Sequence, residues 1–95
     1  MSAPLCTTSV VKLASDLISA PVDDEVVVLS VERGKYYGLD EIGSDIWRRL
    51  DSPVNVDALC QDLAAKYAAD HQTIERDVLA LLQDLLAEGL VMVVT

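Results

Sequence analysis

The first half of the chain has the hydrophobic pattern of β-strands. The segment EVVVLSV (25–31) is β-branched and almost continuously apolar, which predicts a buried strand. The segment ERG (32–34) predicts a short loop in which Gly34 adopts a positive φ. KYYGL (35–39) is then expected to return as the second strand of a hairpin.

The segments before this hairpin have weaker patterns. SVVKL (9–13) is compatible with a short strand, whereas residues 14–24 contain Pro21 and an Asp pair and are interpreted as a connector. Residues 1–8 are expected to form a flexible tail. The remaining residues, 9–95, are expected to form a single domain because a chain of 95 residues has the length of one.

The second half of the chain predicts three helices. Asp40, Asn55 and Asp70 each precede an apolar repeat of helical spacing and are candidate N-caps. Gly89 suits the left-handed position after the last helix, and LVMVV (90–94) predicts a short terminal strand. Strands followed by helices indicate an α+β fold. We expect a winged helix-turn-helix-like domain with an N-terminal three-stranded antiparallel sheet followed by three helices.

The last predicted helix, from about His71 to Glu88, has an unusually wide apolar face. Its leucine, isoleucine and valine side chains cover an arc of about 150°, whereas a helix packed on one side needs only about 100°. The helix is therefore either enclosed on two sides or has part of its apolar arc in a groove. The apolar residues are Ile74, Val78, Leu79, Leu81, Leu82, Leu85 and Leu86.

Charge excludes several classes of function. Sixteen acidic and seven basic residues give a formal net charge of −9, which repels nucleic acids and anionic membranes. A winged-helix DNA-binding protein remains as an alternative from the fold alone, but its recognition helix would need basic or amide side chains, and here Arg76 stands among acids. No apolar run is long enough to span a bilayer and no secretory signal is apparent.

Catalysis by this chain is not expected. Its single histidine, His71, lies at a helix start, and the sequence has neither a phosphate-binding loop nor a metal-ligand cluster, so no cofactor is expected. Cys6 and Cys60 lack metal-type or CxxC spacing and are interpreted as reduced thiols of a cytoplasmic protein.

Residues 22–94 resemble the PqqD-like proteins. The features that match are the apolar strand, the G-x-Y-Y-x-L-D hairpin strand, the G-x-x-I-W helix and the ending IERDVLALLQDLLAEGLV. The resemblance implies a recognition element that binds the leader segment of a ribosomally made precursor peptide and presents it to modifying enzymes. A free-standing copy of this length is most similar to the form in lasso-peptide biosynthesis, where a separate leader peptidase cleaves the precursor. The alternative within the family is a chaperone that brings a cofactor-precursor peptide to a radical enzyme.

The resemblance also implies where the leader would bind. In the family, the leader adds as a strand beside the second strand of the hairpin and places side chains against the last helix. Because alternate residues of a strand point to opposite faces, Tyr37 and Leu39 are expected to lie inward and Tyr36 outward. The implied peptide-binding residues are Lys35, Tyr36, Tyr37, Gly38, Leu39, Asp77, Val78, Leu81, Leu82 and Leu85.

Overall fold

The computed structural model describes residues 5–94, which form six strands and three helices. In chain order these are β1 (Val10–Leu13), β2 (Leu17–Val22), β3 (Glu25–Ser30), β4 (Lys35–Leu39), α1 (Glu41–Arg49), β5 (Val54–Asn55), α2 (Val56–Tyr67), α3 (His71–Ala87) and β6 (Val91–Val93). The α+β class and the winged helix-like arrangement of strands before three helices are confirmed. None of these helices combines the length and the apolar character needed to cross a membrane.

An antiparallel sheet with the order β2-β3-β4 contains the predicted hairpin. Val26 pairs with Leu39 and Ser30 with Lys35, and Gly34 has φ 65° in the turn, as expected. The interpretation of residues 14–24 as a connector was wrong, because β2 occupies most of that segment. Pro21 is tolerated because β2 is an edge strand, where a residue without an N–H does not interrupt a ladder on both sides.

A second antiparallel sheet has the order β5-β1-β6 and brings the two ends of the described chain together. The predicted strand at 9–13 is thus β1, but it pairs with the terminal strand β6 and not with the hairpin. The predicted flexible tail was wrong for residues 5–8. Leu5 is buried, and the carbonyl of Thr7 accepts a hydrogen bond from the N–H of Asp57 at 3.0 Å. Residues 1–4 of that tail, and Thr95, lie outside the described residues.

All three predicted N-caps are confirmed. The side chain of Asp40 accepts a hydrogen bond from the N–H of Gly43 at 2.7 Å, which satisfies one free donor in the first turn of α1. Asn55 and Asp70 do the same at the starts of α2 and α3, each at 3.1 Å. At the other end of α3, Gly89 has φ 75°, the left-handed conformation that glycine adopts without strain.

One apolar core joins both sheets and all three helices. The carboxylate of Asp45, almost fully buried in α1, ties that helix to α2. It accepts hydrogen bonds from Lys66 Nζ at 2.7 Å, Tyr67 OH at 2.8 Å and Arg49 Nε at 2.9 Å. Burial alone would raise the pKa of Asp45, but these donors outweigh it and lower the pKa to about 2.

Candidate functional site

The strand β4 has one free edge. It pairs on one side with β3, and no other described strand lies on its opposite side. Leu39 is buried and Tyr37 half-buried, whereas the Tyr36 side chain is 74% exposed, so the predicted alternation of inward and outward residues is confirmed. The unpaired backbone of β4 is therefore available to a further strand.

A groove begins where β4 ends. It lies between the first turn of α1 and the middle of α3, and its cavity volume is about 240 Å³. Its walls are mainly apolar, and two carboxylates stand at the rim. The lining residues are Asp40, Ile42, Gly43 and Ile46 on the α1 side, and Ile74, Asp77, Val78 and Leu81 on α3.

Two small residues in α1 determine how this groove is placed. The buried hydroxyl of Ser44 accepts a hydrogen bond from the N–H of Val26 at 2.7 Å and donates one to the carbonyl of Leu39 at 3.1 Å. These bonds hold α1 against the end of the hairpin. Gly43 leaves room for the capping carboxylate, because a Cβ at this position would lie only 3.1 Å from Asp40 Oδ1; Leu81 Cδ2 of α3 would be at 3.5 Å, an ordinary van der Waals contact.

A polar cluster joins the hairpin to the end of α3 at the other end of β4. Glu88 Oε2 accepts a hydrogen bond from Tyr37 OH at 3.0 Å and forms an ion pair with Arg33 Nη1, also at 3.0 Å. Burial and the neighbouring carboxylate both raise the pKa of the Tyr37 phenol. The hairpin and α3 are thus connected beside Tyr37, while the groove lies toward Leu39.

The structure places the ten predicted peptide-binding residues in three locations. The five residues of β4 lie along the free edge, and Asp77, Val78 and Leu81 line the groove. Leu82 and Leu85 are buried in the core and support the groove wall from behind. The α1 wall, formed by Ile42 and Gly43, was missed by the sequence interpretation. That these residues bind a peptide remains a prediction.

A second cavity, of about 340 Å³, shares no lining residue with the groove. It is larger than the groove but is lined by residues of β1, β2, β3, α1 and the turn after α1, and none of its lining residues belongs to β4 or α3. Its lining residues are Leu13, Ser19, Ala20, Pro21, Val26, Trp47, Arg48 and Asp51. Volume alone therefore does not identify the site. The groove beside Leu39 adjoins a free strand edge, which a peptide can use.

Comparisons with known proteins identify the family of the chain. Residues 25–91 match the family described as coenzyme PQQ synthesis protein D (PqqD), and this range spans more than half of the chain. The chain belongs to the PqqD family. The resemblance inferred from the hairpin and the last helix is thereby confirmed.

Curated relatives of this chain include proteins of Rhodopseudomonas palustris that are named PqqA binding protein. The protein of strain ATCC BAA-98 / CGA009 is 44% identical over 63 residues, and that of strain TIE-1 is 41% identical over 63 residues. Each match covers 66% of this chain and 60% of the relative. The aligned region thus spans about 60% of the length of these PqqD-family relatives.

Two solved structures share the fold of this PqqD-family chain. TbiB1 in complex with the TbiA(beta) leader peptide superposes with a TM-score of 0.79 at 36% sequence identity, covering 84% of this chain and 93% of TbiB1. Lasso peptide synthetase B1 complexed with the leader peptide gives a TM-score of 0.71 at 25% identity, covering 86% and 96%.

Proposed function

We propose that this chain binds the leader segment of a ribosomally made precursor peptide and delivers it to modifying enzymes. The leader pairs as an additional strand with the free edge of β4 and places side chains into the groove between α1 and α3. The observation that carries this proposal is the free edge of β4 beside an apolar groove, in a fold that solved relatives use in complexes with leader peptides.

The size and the apolar lining of the groove suit the side chains of a peptide. Small-molecule sites have volumes of about 300–1,000 Å³ and enclose most of their ligand. The groove, at about 240 Å³, lies below that range and suits one or two side chains. In strand addition, backbone hydrogen bonds supply affinity and pockets for alternate side chains supply selectivity. This groove would select an apolar or aromatic leader residue, or a proline.

Charge further restricts the leader. Asp40 and Asp77 stand at the rim of the groove, and the net charge of the chain is −9. A leader with neutral or basic residues beside its apolar anchor is therefore favoured over an acidic one. The same charge disfavours duplex DNA as a ligand, although the fold resembles a winged helix.

Within the PqqD family we propose a role in lasso-peptide biosynthesis, with a leader peptidase as the receiving enzyme. The structure of lasso peptide synthetase B1 aligns over 86% of this chain and 96% of its own length. A second candidate is the delivery of a cofactor-precursor peptide to a radical enzyme. It is favoured by the 44% identity to a protein named PqqA binding protein.

Titration of the chain with the leader of the precursor peptide encoded beside it tests the proposal. A leader of about 15–20 residues should bind with a Kd on the order of 10⁻⁸–10⁻⁶ M, since ordering a flexible peptide offsets part of the interaction energy. A scrambled leader is the matched control. Equal affinity for both peptides, or calorimetry without any binding, would reject leader recognition. Preferential binding of duplex DNA would instead support a regulator.

A further inference from the structure

The sheet β2-β3-β4 is apolar on both of its faces. Residues that pair across the strands share a face, and the inner face carries Val26, Val28 and Leu39 of the core. The opposite face, here called the outer face, is turned to solvent. Its apolar residues are Ile18, Ala20, Val22, Val27, Leu29 and Tyr36.

The exposure of this outer face is large for a solvated antiparallel sheet. Such a sheet normally alternates apolar residues inside with polar residues outside. Here Ile18 is 57% exposed and Val22 is 52% exposed, both on β2, and Tyr36 on β4 is more exposed still. Glu25 is the one charged side chain paired within this face, and it lies at the end of β3. The largest apolar patch on a monomeric protein is often a functional surface.

We infer that the outer face is the docking surface for the enzyme that acts on the bound leader, and that this enzyme presents an apolar patch flanked by basic residues. The inference rests on the proposed function, because a leader strand beside β4 would extend the same sheet. Alternate leader side chains would then lie next to Tyr36, while the others enter the groove. The enzyme would contact a surface formed jointly by sheet and leader.

Charge at the ends of the outer face argues for a basic partner. The turn after β2 contributes Asp23 and Asp24, and Glu25 follows directly. Arg48 of α1 reaches the same turn and donates a hydrogen bond to the carbonyl of Asp24 at 3.2 Å, so this end of the patch has three acidic residues beside one base. The other end is bounded by two acidic residues, Asp16 and Glu32, and by two basic residues, Arg33 and Lys35. Arg33 already forms an ion pair with Glu88. An apolar partner surface with lysine or arginine opposite the acidic end complements this pattern.

A second copy of the chain is a poorer occupant. Two copies would bring together chains of net charge −9 each. Three strands about 4.8 Å apart and about 20 Å long also present only about 300 Å², whereas a stable interface buries about 800 Å² on each partner. The face alone is too small to hold two copies together. It is large enough to be the apolar centre of a wider contact that includes the leader.

Binding of the purified enzyme that processes the precursor encoded beside this chain tests the inference. Its affinity is measured by calorimetry for the unmodified chain and for Ile18→Lys, each with and without leader. Ile18 lies on β2, two strands away from the leader edge, so leader affinity should not change. Enzyme affinity should fall about tenfold or more, because an ammonium group would have to be buried where an apolar side chain contacts the partner.

Met92→Lys is the matched control, since it makes the same change in charge at a side chain 46% exposed on β6, in the other sheet. This variant should bind the enzyme as the unmodified chain does. If Ile18→Lys binds both the leader and the enzyme as tightly as the unmodified chain does, the outer face is not the docking surface, and the proposed function is unaffected. If the unmodified chain does not bind the leader, the proposed function is rejected instead. The effect of Ile18→Lys on enzyme binding by the leader-free chain would then still test whether the outer face is a docking surface. A dimer in sedimentation that Ile18→Lys dissociates would assign the face to a second copy and overturn the inference.

Discussion

Replacing Leu81 by alanine should weaken leader binding with little effect on folding, whereas replacing its neighbour Leu82 should do the reverse. The two leucines are adjacent on α3 but differ in environment. Leu81 is half-buried and lines the groove, while Leu82 is fully buried in the core. The pair therefore separates a contact with the ligand from the packing that supports it.

The expected magnitudes follow from burial. Full burial of a leucine side chain gives about 1.5–3 kcal/mol, and a docked peptide would cover roughly the remaining half of Leu81. Its loss should thus cost about 1 kcal/mol of binding, a fivefold increase in Kd. Leu81→Asp would place a charge against the docked side chain, beside Asp77, and should weaken binding by about thirtyfold or more. Leu82→Ala leaves a cavity and should lower the free energy of unfolding by about 3–5 kcal/mol.

Two measurements on each variant are needed, urea unfolding followed by circular dichroism and titration with the leader. Leu79→Ala is the matched control, because Leu79 is also half-buried on α3 but does not line the groove. If Leu81→Ala binds the leader as tightly as Leu79→Ala, the groove does not receive a leader side chain. If Leu81→Asp loses its fold together with its binding, the residue belongs to the core and the proposed wall is wrong.

Three further predictions concern folding, the strand edge and salt. Asp45→Asn should lower the free energy of unfolding by about 2 kcal/mol at pH 7, because the pKa of Asp45 falls from 3.8 to about 2 on folding. In urea titrations, the difference from the unmodified chain should vanish as the pH falls from about 4 to about 2. A difference that stays constant with pH would contradict the lowered pKa of Asp45. Gly38→Pro should reduce leader affinity more than thermal stability. Gly38→Ala is its control and should change neither, because a Cβ at this position meets no atom within 4 Å. Equal loss of stability and affinity in Gly38→Pro would show that the proline disrupts the hairpin itself. Leader affinity should change less than about tenfold between 50 and 500 mM salt, since apolar contacts and backbone pairing carry it, and a steep salt dependence in calorimetry would contradict this.

The elements that the sequence predicted correctly depend on local chemistry. Each capping side chain accepts a hydrogen bond from an N–H group three residues ahead, so a stretch of four residues is enough to predict the cap. The capping residues are Asp40, Asn55 and Asp70. The hairpin around Gly34 is similarly local. The groove, by contrast, is formed by residues of α1 and α3 that lie 28 or more positions apart. A helical repeat shows an apolar stripe at Ile42 without showing which element faces it.

The strand β2 was missed because its sequence contains features that favour a strand and features that oppose one. An edge strand that is apolar on both faces lacks the polar alternation that normally reveals a strand, and Pro21 indicated a break. The informative residues were Asp16 and Asp23, which bracket β2 with φ of 62° and 57°. Aspartate is among the few residues that adopt this left-handed conformation readily, so such a pair indicates turns at both ends of a strand.

Because the sheet β2-β3-β4 is apolar on both faces, it also affects the solubility of the chain at high concentration. Both β2 and β4 are edge strands, and an exposed apolar edge is a template for the stacking of further copies. The surplus of acidic residues opposes such stacking, because each added copy brings nine more negative charges. Near pH 4.2, where the net charge approaches zero, this protection disappears. The chain should then precipitate while still folded, and a leader strand that covers the edge of β4 should delay its precipitation.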